Sequence, residues 1–277
     1  FVTVTGFERP NLSLCVTQVA SMKEKIERLE KIIKQWKTGI VYCSTRKRVK
    51  EVHERLQSFG YKAIAYHGGM EDREREMAQN AFIDKTFDVA VATNAFGMGI
   101  DRSDVRFVVH VDVPGSLEAY YQEAGRAGRD REPAYCELLF NYADTATQEF
   151  FIEGSNPGSE VIRSTWGALM SQADDQHEVK VTIKELSEWT CAKNDMAVST
   201  AISVLSRARY IERFDIPGSR MRGSRLLQPH LSPDDLELDE QGLARKEASD
   251  RQKLKSMVEF CYADICRQVW ILEYFGE

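Results

Sequence analysis

Residues 120–130 read Y-Y-Q-E-A-G-R-A-G-R-D. Gln122 precedes two glycines and two arginines in the pattern Q-x-x-G-R-x-G-R. Gly125 and Gly128 permit tight turns and close backbone approach to a ligand. Arg126 and Arg129 are spaced so that a helical turn would project them from one face. Two guanidinium forks on one face suit a polyphosphate whose charge builds in a transition state. A basic helix end that is simply solvated would need neither the paired glycines nor the upstream glutamine.

Around this stretch the chain alternates between two periods. Residues 38–43, 61–66, 88–93, 106–111 and 134–140 are short apolar runs that predict buried strands. Between them, Met22, Ile26, Leu29, Ile33 and Trp36 recur at helical spacing, as do Val49, Val52, Leu56 and Phe59, with Gly60 as a stop. His67-Gly68-Gly69-Met70 leads into a charged helix reaching Ile83, and a further helix is expected to carry the arginines. Strands alternating with helices, each strand a near-continuous apolar run, predict an α/β fold with a parallel sheet covered on both faces. Ligands gather at the carboxyl ends of such strands. Three small, polar or glycine-rich turns fall there: Ser44-Thr45-Arg46, His67-Gly68, and T-N-A-F-G-M-G-I-D at residues 93–101. Their backbone N–H groups can approach phosphates.

Singly these motifs are unspecific; together and in this order they are not. I-V-Y-C-S-T-R-K (40–47), A-Y-H-G-G-M (65–70), V-A-T-N-A-F-G-M-G-I-D (91–101), V-R-F-V-V-H (105–110) and the arginine stretch resemble the second RecA-like lobe of superfamily 2 helicases, and within them the RecQ family. F-E-R-P-N (7–11) resembles that family's link out of its first lobe. The resemblance implies that Arg126 and Arg129 contact ATP phosphates across a cleft, one of them as the arginine finger, and Arg129 is the one expected to take that role. It implies that Gln122, Gly99 and Asp101 bind or position the nucleotide, and that Thr45, His67 and Thr93 lie at or near the nucleic-acid backbone. It also implies ATP and Mg2+ as cofactors, single-stranded and duplex DNA as partners, and a first RecA-like lobe across the cleft. The sequence contains no G-x-x-x-x-G-K-[ST] and no D-E-x-H or D-E-x-D. The phosphate-cradling lysine and the magnesium-holding acid therefore belong to that first lobe. This chain is expected to hold half of an ATP site and to be inactive alone.

The second half changes character. Residues 153–159 are a linker candidate, followed by a helical pattern over 161–170 and a short strand candidate at 179–181. Thr182 with Glu185 forms a capping box for the next helix. Val198, Ile202 and Leu205 mark another, and strands are expected at 210–216 and 224–227. That is winged-helix order, with Ser199, Thr200, Ser203 and Arg207 on the reading helix and Arg220, Arg222 and Arg225 at the wing tip. The alternative is a small packing module with a solvated basic hairpin. Residues 234–242 are acidic and read as loop. From Asp250 a helix, or two with a break, is expected, where Cys266 and Y-F-G-E (274–277) resemble the start of the RecQ zinc-binding segment. One cysteine, even with Cys261, is not a tetrahedral site. No metal site is therefore expected within the chain, and Cys266 becomes a ligand only with residues beyond Glu277.

The domains expected are thus a helicase lobe at 1–152, a winged-helix-like module at 160–230, a linker at 231–249 and a helical zinc-segment start at 250–277. The 277 residues carry a net charge of -6, which argues against wholesale coating of nucleic acid but not against a local basic patch. No run is long and apolar enough to span a bilayer. The six cysteines are scattered without C-x-x-C, so reduced thiols are expected, in a bacterial cytoplasm or a nucleus. The start, without an initiator methionine or signal peptide, reads as that of a fragment or processed product. The function expected is the C-terminal portion of an ATP-dependent 3′–5′ DNA helicase. The alternatives are an RNA helicase of the same superfamily and a non-catalytic DNA-binding module built on a helicase lobe.

Overall fold

The structure, a computed structural model, describes residues 8–97, 101–219 and 221–276. The chain divides into two compact units, Phe1–Gln148 with Lys253–Glu277, and Glu149–Gln252.

The first unit is built on six strands: β1 (Leu12–Gln18), β2 (Gly39–Tyr42), β3 (Ala63–Tyr66), β4 (Val89–Ala92), β5 (Phe107–His110) and β6 (Ala134–Phe140). They form one parallel sheet in the order β1-β6-β5-β2-β4-β3. The central strands β2, β4 and β5 are buried along their whole length, as apolar runs covered on both faces must be. Helices α1 (Met22–Trp36), α2 (Arg46–Ser58), α3 (Asp72–Ile83) and α4 (Leu117–Ala124) cross between strands. Ile26, Leu29, Ile33, Val49, Val52 and Leu56 enter one core with Val41, Val91 and Val109 of the sheet, whereas Phe59 stays exposed past the end of α2. Because β3, β4 and β2 are parallel neighbours, the turns after Tyr42, Tyr66 and Ala92 open along one edge of the sheet.

The sequence pattern anticipates five of these strands but not β1. That strand lies at the sheet edge, most of its residues are only half-buried, and L-S-L-C-V-T-Q alternates too weakly to stand out. It is nevertheless paired over its full length, from Leu12 opposite Ala134 to Gln18 opposite Phe140.

The second unit contains α6 (Ser159–Ser171), β7 (Glu178–Val179), α7 (Ile183–Ser187), α8 (Asp195–Arg207), β8 (Ile211–Asp215) and β9 (Arg222–Leu226), after α5 (Thr145–Ser155). The three strands make an antiparallel sheet in the order β7-β9-β8. The order of helices and strands is the one expected, closed by a small antiparallel sheet. Trp166 is fully buried among Ile162, Leu169, Val198, Ile202 and Leu205, and its indole donates to the Leu231 carbonyl at 2.9 Å. Thr182 and Glu185 make the capping box, each side chain bonding the other's backbone N–H.

The helix expected from Asp250 begins ten residues earlier: α9 spans Glu240–Tyr262 and α10 Arg267–Phe275. Asp239 accepts from the Gly242 N–H at 2.8 Å and starts the helix, and i,i+4 pairs (Lys246–Asp250, Glu247–Arg251) support a face with no apolar stripe to announce it. The acidic stretch thus ends in a helix start rather than in a longer loop. Among the described residues, no helix is long and apolar enough to cross a membrane.

Candidate nucleotide and nucleic-acid site

Helix α4 is only eight residues long and ends at Ala124, so the arginines sit on the turn after it and not on the helix. Two features stop the helix. Arg126 and Ala127 donate to the Glu123 and Ala124 carbonyls in tightened i→i−3 bonds, and Gly128 takes a left-handed conformation at φ +57. A side chain at 128 would also put its Cβ 2.4 Å from Asn11 Nδ2. The carbonyls released by this turn are taken by Arg9, which donates to Gly125 O at 3.0 Å, Ala127 O at 2.8 Å and Gly128 O at 3.1 Å. Asn11 adds bonds to Gly128 O and Glu132 O.

The two arginines have different surroundings. Arg126 donates to the Gly97 carbonyl at 2.6 Å, on the turn after β4, and its Nε is buried with no hydrogen-bond partner among the described residues. A Cβ on residue 97 would fall 2.4 Å from Arg126 Nη2, so the glycine permits this approach. Arg129 is 38% exposed and lies 3.4 Å from the Asp101 carboxylate, itself 91% exposed. Gln122 is exposed on α4. The structure therefore brings Arg126 to the β4 turn and Arg129 to Asp101. Gly99 lies outside the described residues.

Beneath the turn, Glu123 of the same stretch meets His110 at the end of β5, Oε2 to Nε2 at 2.8 Å, and both are buried. His110 stacks on Tyr42, whose hydroxyl donates to Phe96 O at 2.8 Å. Burial pushes the Tyr42 phenol up, so it remains a donor. Sequence reading missed Arg9, Asn11 and the His110–Glu123 pair as parts of this site. F-E-R-P-N was visible as a segment, but nothing local signals a contact to carbonyls 116 to 119 residues away.

Thr45, His67 and Thr93 follow β2, β3 and β4 along the same sheet edge. Thr45 is the N-cap of α2, accepting from Arg48 N at 3.1 Å. His67 Nδ1 accepts from Gly69 N at 3.2 Å. Thr93 is only 8% exposed, and its N–H donates to Tyr66 O. The turn carrying Thr45 rests on a buried ionic cluster that the sequence did not reveal. Asp112 accepts from Ser44 N at 2.9 Å and lies 3.4 Å from Arg48 and 4.0 Å from Lys25. Lys25, 3% exposed, bonds Asp144 and the Val111 carbonyl. Burial pushes the Asp144 carboxyl above the usual range, against the pull of Lys25.

In the second unit Thr200 turns inward, its one hydroxyl hydrogen shared between Gly154 O at 2.8 Å and Met196 O at 2.9 Å, and so is not a free reading residue. Arg207 is exposed at the end of α8. Arg225 lies within β9 and not at a hairpin tip. It is held by Glu178 at 2.7 Å and Glu212 at 3.0 Å, with its guanidinium over the Phe214 ring. Arg222, the first residue of β9, is exposed; its guanidinium pairs with Asp215 at 3.0 Å and weakly with the Arg213 carbonyl. Arg220 lies outside the described residues.

Residues 24–131 match the helicase conserved C-terminal domain, and residues 230–277 match the RecQ zinc-binding family. The chain is 45% identical over 145 residues to the ATP-dependent DNA helicase RecQ of Pasteurella multocida, covering 52% of this chain and 23% of that protein. It is 44% identical over 151 residues to the ATP-dependent DNA helicase RecQ of Bacillus subtilis, covering 54% and 25%. The chain resembles RecQ helicases. It corresponds to a C-terminal region, spanning about a quarter of the length of these two relatives. The solved structure of a DEAD box protein from Methanococcus jannaschii aligns over 50% of this chain and 39% of its own, with 26% identity and a TM-score of 0.44.

The RecQ zinc-binding match raises the question of a metal, and the residues present do not fit one. The described residues bring no three His, Cys, Asp or Glu side chains together as ligands. Cys261 is buried and its thiol is pushed up to about 12 by that burial, which disfavours the thiolate that zinc needs. Cys266 is exposed at the start of α10, where backbone N–H groups of Val269 and Gln268 lower its thiol, but it belongs to no three-ligand group among the described residues. Elemental analysis of this chain after mild chelation should find well under one zinc per chain; one tightly held zinc would show that Cys266 has partners.

Proposed function

We propose that this chain supplies the arginine half of the ATP site, and part of the single-strand track, of an ATP-dependent 3′–5′ DNA helicase of RecQ type. The observation that carries this is the arginine turn. It docks Arg126 on the β4 turn and leaves Arg129 exposed beside Asp101, at the end of a parallel sheet where ligands bind. Arg129 acts as the finger, Arg126 helps bind phosphates, and Gln122, Gly99 and Asp101 position the nucleotide. ATP and Mg2+ are held mainly by a first RecA-like lobe across the cleft, and nucleotide-driven closure moves the lobes along the strand. Thr45, His67 and Thr93 face the strand backbone. In this reading residues 1–152 are the second lobe, 160–230 a winged-helix-like module, 231–249 a connection whose last ten residues already form the start of α9, and 250–277 the start of the zinc segment. The protein works where DNA is, in a bacterial cytoplasm or a nucleus.

Without the phosphate-cradling lysine and the magnesium acid, this chain alone should turn over ATP negligibly, with or without DNA. A DNA-stimulated ATPase assay on the purified chain tests this, and turnover at an ordinary helicase rate would contradict it. Comparing unwinding of DNA and RNA duplexes by the full-length protein separates the DNA helicase from an RNA helicase.

For the wing, phosphate contact is expected from Arg220 and Arg222, with Arg207 on the adjoining helix and Arg225 contributing less because two carboxylates already neutralise it. Arg222→Ala should weaken DNA binding about equally across sequences and reduce the salt slope by roughly 0.7–0.9. Arg225→Ala should change the slope less. Equal slopes for wild type and Arg222→Ala would indicate a wing that binds protein.

A further inference from the structure

The guanidinium of Arg9 is the hub of the arginine turn, and nothing in the proposed chemistry uses it directly. A short helix ends with carbonyls that have no intrahelical partner. Just past the end of α4, three carbonyls of the turn, those of Gly125, Ala127 and Gly128, converge on one side chain at 2.8–3.1 Å. A planar fork with five donors can serve all three at once, and its charge suits the negative end of a helix. Arg9 also donates to Asn11 Oδ1 at 3.4 Å, and Asn11 continues the clasp to Gly128 and Glu132. Arg9 is itself held from behind. Gln268 of α10 donates to the Arg9 carbonyl at 2.7 Å and to Leu12 O at 3.3 Å. The register of β1 against β6 then fixes the segment from the other side, with Ala134 N donating to Asn11 O at 2.9 Å.

We propose that Arg9 is a positioning residue for the arginine pair. It locks the turn that carries Arg126 and Arg129, and Gln268 sets Arg9. The inference rests on the function proposed above. Phosphoryl transfer depends on placement, and a displacement of about 1 Å by a remote change can cost about 10²-fold in rate. Between Arg9 and the Arg126–Arg129 pair lies only the turn backbone, so loss of the clasp is transmitted to both guanidinium groups. The chain of bonds also gives α10 a route to the nucleotide site through Gln268, Arg9 and the turn.

The test is a double-mutant cycle on DNA-stimulated ATP hydrolysis by the full-length helicase. Arg9→Ala should lower kcat by about 10–10²-fold, more than it raises KM for ATP. Arg9→Lys, which keeps the charge but not the fork, should lose less. In an Arg129→Ala background, Arg9→Ala should cost little further in kcat, because no finger remains to be misplaced. An equal loss in both backgrounds would overturn the proposal and leave Arg9 with a purely structural role. Should Arg9→Ala fail to fold, Gln268→Ala in the same cycle leaves the guanidinium present and must show the same non-additivity; additivity there overturns the proposal too. A normal kcat in Arg129→Ala alone would instead remove the finger assignment itself, a failure recognisable without any Arg9 variant.

Discussion

Arg129→Ala in the full-length helicase should lower kcat for ATP hydrolysis by about 10³–10⁵-fold. That is roughly 4–7 kcal/mol of barrier, at about 1.4 kcal/mol per tenfold. The reason lies in when the contact matters. A finger meets charge that develops as the γ-phosphoryl group departs, so its loss affects the transition state far more than the bound ground state. The geometry fits the proposed division of labour between the two arginines. Arg126 is docked on Gly97 O, in place before any nucleotide arrives, whereas Arg129 is exposed with a carboxylate 3.4 Å away that a phosphate can displace. Arg126→Ala should accordingly raise the nucleotide Kd more noticeably. Arg129→Lys should rescue poorly, because an ammonium cannot reproduce the planar fork. Steady-state kinetics with nucleotide binding measured in parallel checks all three. Loss of binding with kcat preserved in Arg129→Ala would reverse the assignment.

Lys25→Ala should destabilise the first unit by about 3–5 kcal/mol, as expected when one partner of a buried ionic cluster is removed. Lys25 and Asp112 are both almost fully buried and Asp144 is half-buried, so solvent replaces the lost cation poorly. The pH dependence has a definite sign. Burial holds the Asp144 carboxyl above its ordinary value despite Lys25. A raised folded-state value means that protonation favours the fold: the contribution is present at acid pH and lost as pH rises through that value. Removing Lys25 takes away the opposing attraction and moves the value further up. The deficit of Lys25→Ala relative to wild type should therefore be largest near neutral pH and narrow as pH falls. Urea unfolding of this chain at pH 7 and pH 5 reads both quantities. A deficit that is small, or that grows at acid pH, would mean that water already reaches the cluster.

Much of the lobe was legible because its strands are fully buried apolar runs at regular intervals, and because glycine and small polar residues mark the turns at their ends. β1 was not, since an edge strand half-covered on each face leaves only a weak alternation in L-S-L-C-V-T-Q. The arginine stretch was recognisable by composition, but its conformation was not. Spacing alone suits a helix, while the actual turn is set by Gly128 and by Arg9, more than a hundred residues upstream. The buried charges escaped for the same reason. Lys25 and Arg28 sit in a helix that reads as amphipathic with solvated charges, yet Lys25 points into the unit and Arg28 reaches Glu137, a fully buried carboxylate in β6. In the second unit the capping box announced α7 correctly, whereas Arg225 read as a wing-tip cation because sequence does not reveal that Glu178 and Glu212 lie on the strands flanking it.

The central claim, that the exposed arginine of this turn acts on the transition state, is tested most directly by ligand affinity rather than by rate. In the full-length helicase with Mg2+ and single-stranded DNA, the affinity for ADP with aluminium fluoride, a mimic of the transferring phosphoryl group, is compared with that for a non-hydrolysable ATP analogue. Arg129→Ala should weaken binding of the mimic by about 10³-fold or more while leaving the ATP analogue nearly unchanged. Equal weakening of both ligands, or of neither, would contradict it.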